Sequence, residues 1–355
     1  MKLIHCADLH LDSPMEANLP PEKARERKSE ILSTFTRLVR LAAESGVNAI
    51  LIAGDLFDSQ RVTLRTQKYV LDLISSVPEL SFFYLAGNHD KGNALSKLEN
   101  RPENLLLFGD SWTSYRMGGV TITGSERPSP DTLRLEESQV NIVLLHGQER
   151  AGRGVDKADL IRFAHYKDKH IDYLALGHLH DYRATPLDAR TLACYSGCLE
   201  GRGFDECGKK GYVLLEVDQR GRVFHRFVPF AKRRLHARSC DVTDISSQLE
   251  LENRVLKATE GIPSSDLVKV TLTGGVRAHD VIDRVHLSSV LADQFYFAKI
   301  NDETRLQIDP AEFANDVSLK GEFVRRVLAS NLSETEKERV IACGFRALSG
   351  EELGL

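Results

Sequence analysis

Five short polar clusters, each set directly after an apolar run, constrain this chain more than any other feature of its sequence. They are Asp8-Leu9-His10, Gly54-Asp55-Leu56-Phe57-Asp58, Gly87-Asn88-His89-Asp90, His146-Gly147 and Gly177-His178-Leu179-His180. The runs before them, KLIHC, NAILIA, LSFFYLA, VNIVLL and DYLAL, read as buried strands. GVTITGS and GYVLLEVD add further strands. Residues 22–45 carry Ile31, Phe35, Leu38, Val39 and Ala42 at helical spacing, and residues 62–76 carry Val70, Leu71 and Ile74, so both stretches read as helices. Strand-helix-strand alternation predicts an α/β sandwich. Ligands of such sheets bind beyond the carboxyl ends of the strands, so the five clusters are expected to converge on one edge.

The composition of the clusters points to metal. Carboxylates, imidazoles and an amide oxygen suit Mn²⁺, Fe²⁺ or Zn²⁺, and no thiolate stands among them. Residues two apart on a strand face the same side, which lets Asp8 act with His10 and His178 with His180. So many ligands exceed what one tetrahedral zinc needs and suit two ions that share a bridging carboxylate. Two such ions clamp the attacking and leaving oxygens of a phosphoryl displacement and lower the pKa of bound water. Turn chemistry explains any single cluster, because Asp, Asn and Gly commonly end strands. It does not explain five in succession.

In this order, D-x-H, G-D-x-x-D, G-N-H-D, H-G and G-H-x-H resemble the calcineurin-like metallophosphoesterase superfamily over residues 1–235. The finer pattern resembles bacterial DNA repair exonucleases of the SbcD and YhaO type. IHCADLHLDSP, GDLFD and FFYLAGNHD carry that likeness. So does Cys194-Tyr195-Ser196-Gly197-Cys198-Leu199-Glu200 followed by Gly208-Lys209-Lys210-Gly211. Cys198 stands where the pattern usually has Ser, and Asp58 where archaeal and eukaryotic relatives often carry His. The resemblance implies a four-layer α/β/β/α sandwich with a smaller α+β capping domain. It implies that Asp8, His10 and His180 hold a first metal, that Asn88, His146 and His178 hold a second, and that Asp55 bridges them. His89 is implied to lie over the scissile phosphate, where it stabilises transition-state charge or protonates the leaving oxygen, with Asp90 or Asp58 orienting it. The implied nucleophile is a metal-bound hydroxide. The implied cofactors are two divalent ions, Mn²⁺ foremost, with Fe, Mg or Zn as alternatives. The implied partners are DNA bound without sequence preference, an SbcC-like coiled-coil ATPase and a second copy of the chain.

Length and charge fill in the rest. At roughly 150 residues per domain, 355 residues suggest about two domains. Residues 1–235 hold 33 basic and 31 acidic side chains, and residues 236–355 hold 14 and 20, so the net charge of -4 comes from the second part. This balance excludes a histone-like chain but not a nucleic-acid enzyme, since a local patch can bind phosphates. A second pattern starts after Leu235: a strand, a helix over 245–258, the strand LVKVTLTGGV, a helix over 280–292 and the strand QFYFAKIN. We read an α+β domain over 236–330 and a short helical tail over 331–355, opened by a capping box at Ser333 and Glu336. The six cysteines form no C-x-x-C pair, so Cys194, Cys198 and Cys207 read as ordinary thiols in a reducing, cytoplasmic setting. No apolar run reaches the roughly 18 residues of a membrane span, and His5 and Asp8 come too early for a signal peptide.

Arg61, Arg202, Lys209 and Lys210 are the candidate substrate-binding residues, with phosphate contact set against solvated surface charge. Lys232, Arg233 and Arg234 either track a nucleic-acid backbone or close a domain junction. Asp12 and Ser13 either line the substrate path or form the turn into Pro14. The expected function is a two-metal phosphodiesterase acting on DNA, an exonuclease with single-strand endonuclease activity as a variant. Two alternatives stay open. One is a metallophosphatase or phosphodiesterase for a small nucleotide or a phosphoprotein. The other is a DNA-tethering subunit of an SbcC-like ATPase complex, where the ATPase must be the partner, because no G-x-x-x-x-G-K-[ST] loop is present.

Overall fold

The computed structural model describes residues 1–15, 19–58, 62–90, 101–149, 160–277, 282–307 and 310–348. The chain divides into two compact units, Met1–Arg234 and Leu235–Leu355.

The first unit opens with β1 (Lys2–Cys6), α1 (Pro21–Glu44), β2 (Ala49–Ala53), α2 (Leu64–Ser75) and β3 (Ser81–Leu85). These strands are buried almost along their whole length, as strands covered on both faces must be. The helical crossovers make them parallel neighbours, so the turns that follow all three fall on one edge. Pro21 opens α1, where its missing N–H leaves no bond unmade. The Thr63 side chain caps α2 by accepting from Thr66 N–H. The chain continues through β4 (Leu105–Leu107), β5 (Thr113–Met117), β6 (Val120–Gly124), β7 (Val140–His146), β8 (Tyr173–Gly177), β9 (Arg183–Pro186), β10 (Leu192–Tyr195), β11 (Gly211–Val217) and β12 (Val223–Pro229).

Two six-stranded sheets result, ordered β12-β11-β1-β2-β3-β4 and β5-β6-β7-β8-β10-β9. Period-2 alternation gives each sheet an inner and an outer face. Leu3, Leu51, Phe83 and Val213 of the first meet Ile122, Ile142, Leu144 and Ala175 of the second in the central core. The outward Ile4, Ile50, Ile52 and Phe82 are also buried, as is the α1 stripe Ile31, Phe35, Leu38, Val39 and Ala42. The outer face of the second sheet packs Val143, Leu145, Leu174 and Leu176 against Leu133, Ile161, Phe163 and Tyr166. Among the described residues that outermost layer is made of the 3-10 turns Pro130–Thr132 and Phe163–Tyr166 with connecting chain, not of long helices.

In the second unit, β13 (Leu235–Asp241), α3 (Gln248–Ala258), β14 (Leu267–Thr273), β15 (Gly275–Arg277), α4 (Arg284–Ala292), β16 (Phe297–Asp302) and β17 (Arg305–Gln307) form two small parallel sheets, β13-β14-β16 and β15-β17, with their helices. Leu251 and Val255 of α3 and Leu287 and Leu291 of α4 pack against Val268, Val270 and Leu272. The unit ends in α5 (Pro310–Phe313), α6 (Leu319–Leu328) and α7 (Glu334–Leu348), joined through Phe313, Val324, Val327, Ile341 and Phe345. Ser333 N–H donates to Glu336 at 2.9 Å, one arm of the capping box. Among the described residues no helix is long and apolar enough to cross a membrane.

One charged cluster fixes α1 to the end of the first unit. Arg27 is fully buried and donates to Glu30 (2.6 Å), Glu200 (3.1 Å) and the Gly201 carbonyl (2.8 Å). Thr34 donates to Glu200, and Lys232 and Arg233 pair with Glu30 at 2.7 and 2.8 Å. The basic run Lys232–Arg233 therefore binds an acid of its own unit. Burial opposes charge on Glu30, but Arg233, Lys232 and Arg27 override it and hold the carboxyl at about 2. A carboxyl depressed on folding stabilises the folded state above its unfolded value of roughly 4.3, and that stabilisation fades as pH falls toward the folded value. Thermal unfolding of the wild type should thus lose stability between about pH 4.5 and 2, and Glu30→Gln should show a smaller loss across that window. Equal acid sensitivity in the two proteins would refute the assignment.

Candidate metal centre

The turns after β1 and β2 are laced together. Asp8 N–H donates to Gly54 O (3.0 Å), His10 N–H to Asp55 O (3.0 Å) and Leu11 N–H to Leu56 O (2.9 Å). Holding these turns needs unusual backbone. Of nine described non-glycine residues with positive φ, five are Asp8, His10, Asp12, Asp55 and His178. Left-handed backbone costs such residues about 1 kcal/mol each and persists only where the surroundings over-determine it. Glycine is required where backbones and ligands crowd. A Cβ on Gly54 would lie 2.0 Å from the His146 ring, and one on Gly87 would lie 2.1 Å from Asp55 Oδ1. Asp90, 1% exposed, ties the third turn to the second by accepting from Leu56 N–H, Phe57 N–H and Gly87 N–H.

Seven side chains converge there. His10 Nε2 and His180 Nε2 are 3.3 Å apart. Asp8, His10 and His180 can each present one ligand atom within 4.8 Å of the others, as can Asp8, Asp55 and His146. Asn88 Oδ1 lies 2.9 Å from His146 Nε2 and 3.3 Å from His178 Nδ1. Asp55 Oδ2 approaches a histidine of each set, 3.4 Å from His146 Nε2 and 3.9 Å from His10 Nε2. His146 Nδ1–H donates to the Ala53 carbonyl at 2.9 Å, which leaves Nε2 as the nitrogen that could ligate an ion. His178 N–H donates to both oxygens of Asp8.

The electrostatics suit a cation. Burial pushes the Asp8 carboxyl up to about 6. Burial also acts against charge on Asp55, but His146 and His10 hold it well below the usual carboxylate range. Burial opposes charge on His146 as well, yet Asp55 lifts it to about 9. These groups stabilise one another's charge by sharing protons, and divalent ions at the same atoms would replace those protons. His10 Nε2 and His180 Nε2, 3.3 Å apart, share a proton, and a divalent ion at the same two atoms would replace it. The donor set, hard oxygens with imidazoles and no thiolate, fits two divalent ions.

His89 is exposed beside this set. Its ring is 5.0 Å from that of His10, and Nδ1–H donates to the Asp58 carbonyl at 3.0 Å, leaving Nε2 for a ligand. The orientation expected from Asp90 does not occur, because that carboxylate holds the turn; the Asp58 backbone takes the role instead. Asp12 accepts from Thr63 N–H and pairs with Lys28, so it ties α1 to the N-terminus of α2. Arg202 directs its guanidinium at Asp58 (2.6 Å) and Glu206 (2.9 Å). Lys210 is 2% exposed and donates to the His180 carbonyl and Asp181. Lys209 is exposed, and Arg61 lies outside the described residues. Sequence reasoning missed Glu206, which accepts from His180 Nδ1–H at 2.7 Å. Its one sequence signal is its place four residues after Arg202.

The description "Calcineurin-like phosphoesterase" belongs to the family model that matches residues 1–182. YhaO of Bacillus subtilis, described as an uncharacterized metallophosphoesterase, is 28% identical over 236 residues, covering 61% of this chain and 57% of that protein. This chain therefore spans little more than half of that relative. The DNA double-strand break repair protein Mre11 of Methanopyrus kandleri is 24% identical over 383 residues, covering 95% of this chain and 79% of that one. The SbcD component of the nuclease SbcCD of Escherichia coli is 22% identical over 402 residues, covering 96% of each.

Gly87→Ala tests the crowding directly. The added methyl meets Asp55 side chain and backbone, so urea unfolding should show a loss of about 1–3 kcal/mol, and calorimetric titration should show weakened Mn²⁺ binding. Unchanged Mn²⁺ affinity would show that this close approach does not shape the centre.

Proposed function

Because the chain belongs to the calcineurin-like phosphoesterase family, hydrolases that use two divalent metals, we propose that it is a two-metal phosphodiesterase acting on DNA, a repair exonuclease. The observation that carries this reading is Asp55 Oδ2 within 3.9 Å of His10 Nε2 and 3.4 Å of His146 Nε2. In that place Asp55 would be shared by the two ions, Asp8, His10 and His180 would hold one, and Asn88, His146 and His178 would hold the other. Two divalent ions supply Lewis-acid charge and lower the pKa of bound water, with Mn²⁺ our first choice. The chain's own part is to orient and to move a proton. His89 donates from Nε2 to the leaving sugar oxygen or to the developing charge on the phosphate, while the Asp58 carbonyl holds Nδ1. Exposed Lys209 offers a phosphate contact, in keeping with binding to backbone rather than base edges.

DNA is favoured among phosphodiesters because the relatives include proteins named for DNA break repair and as a nuclease. By the same relation we propose an SbcC-like ATPase as partner, with a second copy of the chain as a further one. The six free cysteines suit a reducing compartment, so we place the chain in the cytoplasm.

The test is an activity panel on the manganese-loaded protein: labelled single- and double-stranded DNA, a cyclic nucleotide and a generic diester. DNA should be degraded, and His89→Ala should keep its ions while turnover falls about 10²–10⁴-fold. Intact DNA beside hydrolysed cyclic nucleotide would move the substrate to small nucleotides. Full turnover by His89→Ala would remove His89 from the chemistry.

A further inference from the structure

Resting on the two-ion reading above, we propose that Arg202, Glu206 and Asp58 form one charged clamp that aims His10 Nε2 and His180 Nε2 at a single ion. His180 Nδ1 is 2.7 Å from Glu206 Oε1, and His10 Nδ1 is 3.0 Å from Asp58 Oδ1. Each imidazole thus has a carboxylate behind it, and the two Nε2 atoms meet in front at 3.3 Å. Arg202 joins the two carboxylates. Nη1 reaches Asp58 Oδ1 at 2.6 Å, Nη2 and Nε reach Glu206 Oε1 at 2.9 and 3.2 Å, and the Arg202 backbone N–H donates to Glu206 Oε2 at 2.8 Å.

The arrangement does three things. At His180 the Glu206 carboxylate accepts from Nδ1–H, which fixes the tautomer with the lone pair on Nε2, while at His10 the Asp58 carboxylate stands beside Nδ1 as a neighbouring charge. Each carboxylate also makes its imidazole a stronger donor. Arg202 then keeps both carboxylates turned to the rear, where they cannot swing forward and ligate the ion themselves. A rigid, bidentate guanidinium suits that task better than a flexible ammonium. Arg202 is itself held in place, because its neighbours Glu200 and Gly201 are bound by buried Arg27 of α1. His146, in the second set, is backed by the neutral Ala53 carbonyl instead. The clamp therefore serves one ion of the pair. These are positioning residues: they act through the two histidines and not on substrate.

Mn²⁺ titration followed by electron paramagnetic resonance counts bound ions without any turnover. The wild type should bind two. Glu206→Ala and Arg202→Met should weaken one ion by about 10- to 100-fold and leave the other unchanged, the size expected when the partner behind a ligating histidine is lost. Glu206→Gln keeps an oxygen to accept the Nδ1–H bond and should recover much of the affinity. Thermal unfolding of the ion-free proteins identifies any variant that fails to fold, and the remaining variants then carry the comparison. Wild-type affinity at both ions in Glu206→Ala or Arg202→Met would overturn the clamp, as would equal weakening of both. A wild type that binds no divalent ion would overturn the two-ion reading itself.

Discussion

Everything at the centre depends on two turns held against each other. The chain after β1 donates from Asp8, His10 and Leu11 to carbonyls of the chain after β2, at Gly54, Asp55 and Leu56. Parallel pairing of β1 with β2 brings those turns to the same edge, and the hydrogen bonds then force positive φ on Asp8, His10 and Asp55. Strain of that kind is tolerable only if the rest of the unit is rigid. The fully buried core between the sheets and the buried Arg27 cluster provide that rigidity.

A centre of this composition holds many more charges than a low-dielectric site normally tolerates. The structure deals with each one locally. Asp55 is held ionised by imidazoles; burial raises Asp8 and Asp90, and backbone N–H groups at both, with imidazoles at Asp8, offset part of that rise. Behind the histidines stand a carbonyl, a carboxylate that Arg202 neutralises, and a second carboxylate on the same guanidinium. The outcome is a set of ligand atoms aimed inward, with their balancing groups on the outside.

Much of this was legible in the sequence, and for a physical reason. Binding residues of an α/β sheet sit just after its strands, so Asp8, Asp55, Asn88, His146 and His178, which the fold brings together, all announce themselves as polar residues after apolar runs. The α1 stripe was legible through its helical period. What the sequence did not show lies in contacts between segments distant along the chain. Glu206 reaches His180 across 26 residues through a loop with no periodicity. Arg202 and Lys210 look like free cations in sequence, but folding turns both onto protein oxygens. Asp90 stands next to His89 in sequence, yet its carboxylate binds the backbone of the second turn. The short edge strands β4 and β9 have too few residues to carry a clear alternation.

On the proposed function, Asp55 would bridge two divalent ions held by Asp8, His10 and His180 on one side and by Asn88, His146 and His178 on the other. The most direct test is anomalous diffraction from crystals of the protein soaked in Mn²⁺. Two anomalous peaks separated by about 3.5–4 Å are expected, with one carboxylate oxygen of Asp55 in contact with both. A single peak, or two peaks with Asp55 bound to only one, would contradict that reading.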